Sequence, residues 1–304
     1  MSKFRILSID GGGIRGVFPA HILDQITKRL GINVSERFGL IAGTSTGSII
    51  AAAVACGIPC ERVIDLYKTH GPKIFVRRKT LWPDCLQQGF TSAYEMEGLA
   101  TALEEVFHET KLKDVTRPLI IPSTDLGNGG VHVFKSAYSK AFVRDPEVLV
   151  RNAILASCSA PTYFDPLKLD PYLLADGGLW ANNPTLVAYV DAQHRLEIPA
   201  TDIRILSLGT GHSKVAYGTK SRENWGLLNG WGGKKFIDFL LSLQAHSTNN
   251  TMGLMLGKER LLRLDFESDN ELPLDDVSCI CDLQSKADLI FTHNAQLIQA
   301  FFED

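Results

Sequence analysis

Ser45 stands in FGLIAGTSTGSIIAAAVACG, Phe38 to Gly57: an apolar run, a glycine, a serine between two threonines, a second glycine and an alanine-rich helix. The glycine-x-serine-x-glycine pattern, with Gly43 and Gly47 relieving crowding, places a serine on a tight strand-to-helix turn with its hydroxyl exposed. Asp176, in LLADGGLWANNP at residues 173–184, is delivered by an apolar stretch to the glycine pair Gly177 and Gly178, after which Asn183 and Pro184 open a helix. In DGGGIRG, Asp10 to Gly16, the glycines let the backbone approach a ligand, and the amides at the start of the following helix point at negative charge. Together these are the parts of acyl transfer: a nucleophile (Ser45), a base (Asp176) and an oxyanion group drawn from Gly11, Gly12, Gly13, Arg15 and Gly16.

The elements that must position them are legible in outline. FRILSI, residues 4–9, is a nearly unbroken apolar run that stops at Asp10. The helical spacing of Ile22, Ile26 and Leu30 then ends at Gly31. Strand, glycine turn and helix recur from Phe38 to Cys56. Further buried strands are expected at RPLIIPSTD, GVHVFKS and IRILSLGTG, and helices near 94–107, 145–157, 183–196 and 284–303. Such alternation predicts an α/β protein whose mostly parallel central sheet is covered by helices, with all three motifs at the C-terminal edge of that sheet. Two irregular stretches, 71–93 and 213–233, read as mobile surface loops within one domain spanning 1–304.

Each motif has a plainer reading. Ser45 is also a helix cap, and Asp-Gly is a common turn. Gly11, Gly13 and Gly16 satisfy the dinucleotide-binding spacing, but the second strand ends in IAGTSTG without the acid that would hold a ribose. A non-catalytic nucleotide-binding module is the corresponding non-enzyme reading. Within hydrolases the competitor is a Ser-Asp-His triad. Among the histidines after Asp176, His212 is the best placed, because it follows SLGTG at a strand end. Arg15 either lends charge to the oxyanion group or is an exposed side chain on the first helical turn.

A 304-residue chain with 45% hydrophobic residues can bury a sizeable core, and its net charge of −3 gives no global field for a nucleic-acid polymer. Six cysteines without paired spacing fit reduced, packed thiols and a cytoplasmic setting. No HxH, HExxH or EF-hand carboxylate array appears, so neither metal nor cofactor is expected, and hydrolysis is expected to be calcium-independent.

The three motifs, in this order and context, resemble the patatin-like phospholipase family: DGGGIRG its oxyanion motif, GTSTG its nucleophile elbow and DGG its aspartate motif. Similarity continues through ASCSAPTYF (156–164) and ILSLGTG (205–211), and more faintly through LLRLDFESDNELPLDDVS (261–278). The resemblance implies a three-layer α/β/α fold and a lipid acyl hydrolase working through a Ser45–Asp176 dyad. The chain also resembles phospholipase effectors of antiphage (CBASS) signalling, which implies activation by a cyclic oligonucleotide, homo-oligomers on activation and peripheral contact with the inner membrane. Lys73, Arg77, Arg78 and Lys79, interleaved with Phe75, Val76, Leu81 and Trp82, would suit a membrane interface. ENWGLLNGWGGKK, with Lys214, Lys220, Arg222, Lys234 and Lys235 around it, would suit either an activator site or a lid.

Overall fold

The computed structural model describes residues 3–78, 91–213, 225, 230–231 and 234–303. Its strands are β1 (Phe4–Ile9), β2 (Leu40–Gly43), β3 (Leu119–Asp125), β4 (Gly130–Lys135), β5 (Leu167–Leu169), β6 (Tyr172–Asp176), β7 (Ile203–Leu208), β8 (His212–Ser213), β9 (Leu261–Leu264) and β10 (Glu267–Ser268). Eight form one sheet in the order β5-β6-β3-β2-β1-β7-β9, with β4 also on β3, while β8 and β10 pair separately. The central strands β3, β2, β1, β7 and β9 run parallel; β4 and β6 run antiparallel to β3, and β5 antiparallel to β6. The parallel strands read as continuous apolar runs because both their faces are covered. Along β1, Leu7 and Ile9 enter one core and Ile6 the other.

The helices are α1 (Val17–Leu30), α2 (Val34–Arg37), α3 (Thr46–Ala55), α4 (Cys60–Ile74), α5 (Glu97–Phe107), α6 (Val150–Cys158), α7 (Gly178–Ala181), α8 (Thr185–Arg195), α9 (Lys234–Leu256) and α10 (Ile280–Glu303). One face of the sheet packs against α1, α3, α4, α5, α6 and α10, and the other against α8 and α9, giving the three layers. Every residue of α3 is buried, so its alanines serve close approach to β2 and its neighbours rather than an amphipathic stripe. Gly31 closes α1 in the left-handed conformation at φ 65°.

Several expectations change. The helix foreseen from residue 145 begins at Val150, because Leu149 is extended and Asp145 is held by Arg144 at 2.6 Å. The helices α4 and α9 were not anticipated. The described parts of the stretch 71–93, residues 71–78 and 91–93, are less irregular than the composition suggests. Gly71 to Ile74 complete α4, Phe75 stacks edge-on against Tyr94, the Ala93 amide donates to the Thr162 carbonyl, and Arg78 pairs with Asp165 at 2.8 Å. Lys79, Leu81, Trp82, Cys85, Lys214, Lys220 and Arg222 lie outside the described residues. Among the described residues no helix is long and apolar enough to cross a membrane.

Candidate active site

The turn from β2 into α3 closes because two side chains are missing. A Cβ on Gly43 would overlap the Gly47 carbonyl, and one on Gly47 would overlap that of Ile9. Between them Ser45 adopts φ 53° and ψ −126°, a strained conformation for a residue with a Cβ, costing about 1–3 kcal/mol. Ser45 occupies the N-cap position of α3, yet its side chain makes no capping hydrogen bond. The hydroxyl is left for other chemistry, while the backbone is pinned. The Ser45 amide donates to Ser157 Oγ at 2.9 Å, the Ser157 hydroxyl to the Pro122 carbonyl at 2.6 Å, and the Ser48 hydroxyl to the Ser45 carbonyl at 2.6 Å.

Asp176 arrives on β6, which runs antiparallel to β3 within the mostly parallel sheet. β3 pairs with β2 only at Leu119 and Ile120 and then runs on, and β6 pairs with that extension, setting Asp176 opposite Ser123. A strand entering from the other direction therefore finishes beside the elbow. Asp176 is 2% exposed. Burial pushes its pKa up to about 7, although the Gly178 amide, 2.6 Å from Oδ1, and the Ser45 hydroxyl both favour the charged form. Gly177 has no room for a Cβ, which would overlap the Pro122 carbonyl.

The expected oxyanion group divides into donors and supports. The amides of Gly11, Ile14 and Arg15 are taken by the carbonyls of Asn182 (3.0 Å), Leu274 (2.8 Å) and Gly12 (3.2 Å). Those of Gly12 and Gly13 have no acceptor among the described residues and border the pocket that holds Ser45 and Asp176. Their orientation has a cause. The Gly11 carbonyl accepts from Thr210 Oγ1 at 2.7 Å and the Gly12 carbonyl from Arg15 Nε at 3.1 Å. In a trans peptide the N–H points opposite to the C=O, so tying both carbonyls back turns the next two amides toward the serine. Arg15 is accordingly 8% exposed and not a solvated first-turn side chain. It also donates to the Gly211 carbonyl at 3.3 Å. Gly16 serves packing, since a Cβ there would overlap the Thr46 hydroxyl.

Around these groups the pocket is apolar, walled by Ile49, Leu66, Ile74, Phe75, Phe164 and Leu241. It can seat a hydrocarbon chain with an ester carbonyl at its mouth. Phe75, read from sequence as a residue that would face a membrane, lines this pocket instead. His212 faces elsewhere: its ring nitrogens lie 3.7 Å from Asp265 and 3.8 Å from Glu267, in a neighbouring polar pocket that Ser45 does not line. Sequence reasoning missed Asn182 and Ser157. Asn182 is 6% exposed, borders both pockets, and ties the Gly11 amide through its carbonyl; its signal was its place just after the aspartate motif. Ser157 lies in the ASCSAPTYF stretch.

An uncapped serine at the elbow, a buried carboxyl and two amides without an acceptor among the described residues, all around an apolar pocket, are features that α/β serine acyl hydrolases share. The patatin-like phospholipase family model matches residues 7–189, and the chain belongs to that family. It is 32% identical over 294 residues to a cGAMP-activated phospholipase of Escherichia coli (strain TW11681), covering 90% of this chain and 80% of the relative. With a cUMP-AMP-activated phospholipase of Escherichia coli it shares 33% identity over 218 residues, covering 68% and 64%. The crystal structure of VipD from Legionella pneumophila superposes with a TM-score of 0.50 at 11% identity, over 99% of this chain and 67% of that one, and so shares its fold.

Proposed function

We propose that the protein is a lipid acyl hydrolase that cleaves fatty acyl esters of membrane phospholipids through a Ser45–Asp176 dyad. Asp176 takes the proton of Ser45 as Oγ attacks the ester carbonyl, and the Gly12 and Gly13 amides receive the oxyanion. The carboxyl then protonates the departing alcohol, and the same group activates the water that hydrolyses the acyl-enzyme. An ordinary aspartate is a poor base for an alcohol; burial that raises its pKa to about 7 brings it nearer the task. The observation that carries this reading is a pair of amides, those of Gly12 and Gly13, without an acceptor among the described residues and bordering the same pocket as an uncapped Ser45. A metal is not needed for charge stabilisation, because preorganised amides supply it; losing one such donor typically costs about a hundred- to a thousandfold in turnover.

The names of the relatives support a further step: a cyclic oligonucleotide switches the enzyme on, as those proteins are named for cGAMP and cUMP-AMP. The substrate places the protein at a membrane surface, as a peripheral protein of the cytoplasmic face of the inner membrane. The test is fatty-acid release from phospholipid vesicles by the wild type, Ser45→Ala and Asp176→Asn, with and without cGAMP or cUMP-AMP and in excess chelator. Release that both substitutions abolish and the chelator leaves intact is the expected result. No release under any of these conditions, with Ser45 inert to a fluorophosphonate, would overturn it in favour of a binding module.

A further inference from the structure

A second, polar pocket lies on the other side of the oxyanion loop, where the carbonyls of Gly11 and Gly12 point, and it meets the apolar pocket at Asn182. Its charges are nearly closed. Arg263 donates through Nη1 to Asp10 Oδ1 at 3.0 Å and Ser207 Oγ at 2.8 Å, and through Nη2 to Asp10 Oδ2 at 2.6 Å and Asp265 Oδ2 at 2.7 Å. Arg15 lines the same space, so two guanidinium groups balance two carboxylates. What remains uncommitted is a row of polar side chains. Ser242, His246 and Asn249 recur on one face of α9 at the spacing of a helical stripe, and with Asn182 they border the pocket without a side-chain hydrogen bond to any described residue. The His212 ring faces that of His246 edge-on at 4.5 Å.

We propose that this pocket binds a phosphodiester monoanion. The uncommitted groups can all donate: two amides, a hydroxyl and the His246 imidazole, and a phosphodiester is an acceptor without a proton of its own to place. With the arginines balanced, the surplus positive charge of the pocket rests on His212, whose protonation Asp265 favours, while burial and the neighbouring His212 hold His246 toward its neutral form. That matches one negative charge better than the two of a phosphate monoester, and it disfavours a cationic ligand. Occupancy has a route to catalysis, because Arg15 and Thr210, both lining the pocket, hold the two carbonyls that aim the Gly12 and Gly13 amides.

Two ligands carry this chemistry: the glycerophosphodiester of the lipid whose ester lies at Ser45, and a cyclic dinucleotide. Only the choice between them rests on the phospholipase reading. The experiment is calorimetric titration of the full chain with glycerophosphocholine and, separately, with cGAMP and cUMP-AMP, comparing the wild type with His246→Ala/Asn249→Ala and with Asn249→Asp. Circular dichroism and melting temperature check the fold of each variant.

The wild type should bind at least one of these phosphodiesters, and both variants should weaken that binding tenfold or more, the loss expected when a hydrogen bond to a charged group is removed. Binding of glycerophosphocholine alone identifies a headgroup subsite, and binding of a cyclic dinucleotide alone an effector site. Asn249→Asp adds a charge without truncating the helix, so it keeps the test decisive if the double variant melts early. Binding of none of the probes, or binding indifferent to both variants, overturns the proposal. Variant-sensitive binding by a protein that releases no fatty acid from vesicles would retain the site and refute the phospholipase reading instead.

Discussion

Ser45 and Asp176 are both held in states that folding alone would not choose, one in a strained backbone conformation and the other as a carboxyl buried away from water. Because the folded pKa of Asp176 is about 7 against an ordinary value near 3.8, the folded chain holds a proton there that the unfolded chain has lost between those two values. Stability from this residue therefore falls as pH rises from about 4 through 7 and is flat above. Asp176→Asn removes that penalty. The variant should melt higher than the wild type at pH 8, by roughly 2–4 kcal/mol of stability given about 1.4 kcal/mol per tenfold change in proton affinity, and the gap should narrow toward pH 5. If Asp176 is the base of the proposed dyad, the variant should also lose about a thousandfold or more in turnover. Thermal melts across pH decide the first point, and a melting difference independent of pH would contradict it. The same ionisation predicts that kcat/KM of the wild type climbs with pH around 7 to a plateau. At this scale much was legible, because Ser45, Asp176 and the glycines announce themselves by type and spacing. The roles of Arg15 and Asn182 were not, because nothing local in IRG or ANN says that one side chain turns inward to a carbonyl and the other stands between two pockets.

The turns that carry Ser45 and Asp176 are also a property of elements meeting. The elbow exists because α3 lies against the end of β1 closely enough that Gly47 would collide with Ile9 if it carried a methyl group. Gly47→Ala is therefore expected to lower the melting temperature, by an overpacking cost of about 1–3 kcal/mol, and to abolish fluorophosphonate labelling at temperatures where the variant is still folded. Full labelling of a folded Gly47→Ala protein would show that the close approach is not needed. On the other side of β1, β7 separates it from β9, and β9 supplies Arg263 to Asp10 at the head of the oxyanion loop. Arg263→Leu removes the guanidinium that bridges Asp10 and Asp265, a loss of about 3–5 kcal/mol that chemical denaturation can read. The helix α9 shows why sequence reasoning stopped short at this scale. Its middle, AHSTNNT, is polar and rich in weak helix formers, so no apolar period survives there. The polar residues make sense once Ser242, His246 and Asn249 are seen to border a pocket. The antiparallel β6 was equally hidden, because an apolar run before a turn does not state its direction.

For the whole molecule, the parallel half of the sheet follows from its alternating runs, whereas the layers that cover it depend on contacts distant in sequence. An example is Arg5 of β1, whose Nε donates to the Phe301 carbonyl of α10 at 3.0 Å. Net charge also acts at this scale. A chain carrying −3 has no general attraction for an anionic nucleotide or an anionic bilayer, so either would have to be captured locally. If a cyclic dinucleotide activates the enzyme by assembling copies of the chain, mass action makes the active fraction depend on protein concentration as well as ligand. Specific activity at saturating cGAMP or cUMP-AMP should then fall on dilution of the protein, and sedimentation should show the nucleotide raising the mass over the same concentration range. Specific activity constant on dilution, with an unchanged sedimentation coefficient, would show instead that a nucleotide acts within a single chain, by the shorter path from the polar pocket through Arg15 and Thr210 to the amides facing Ser45.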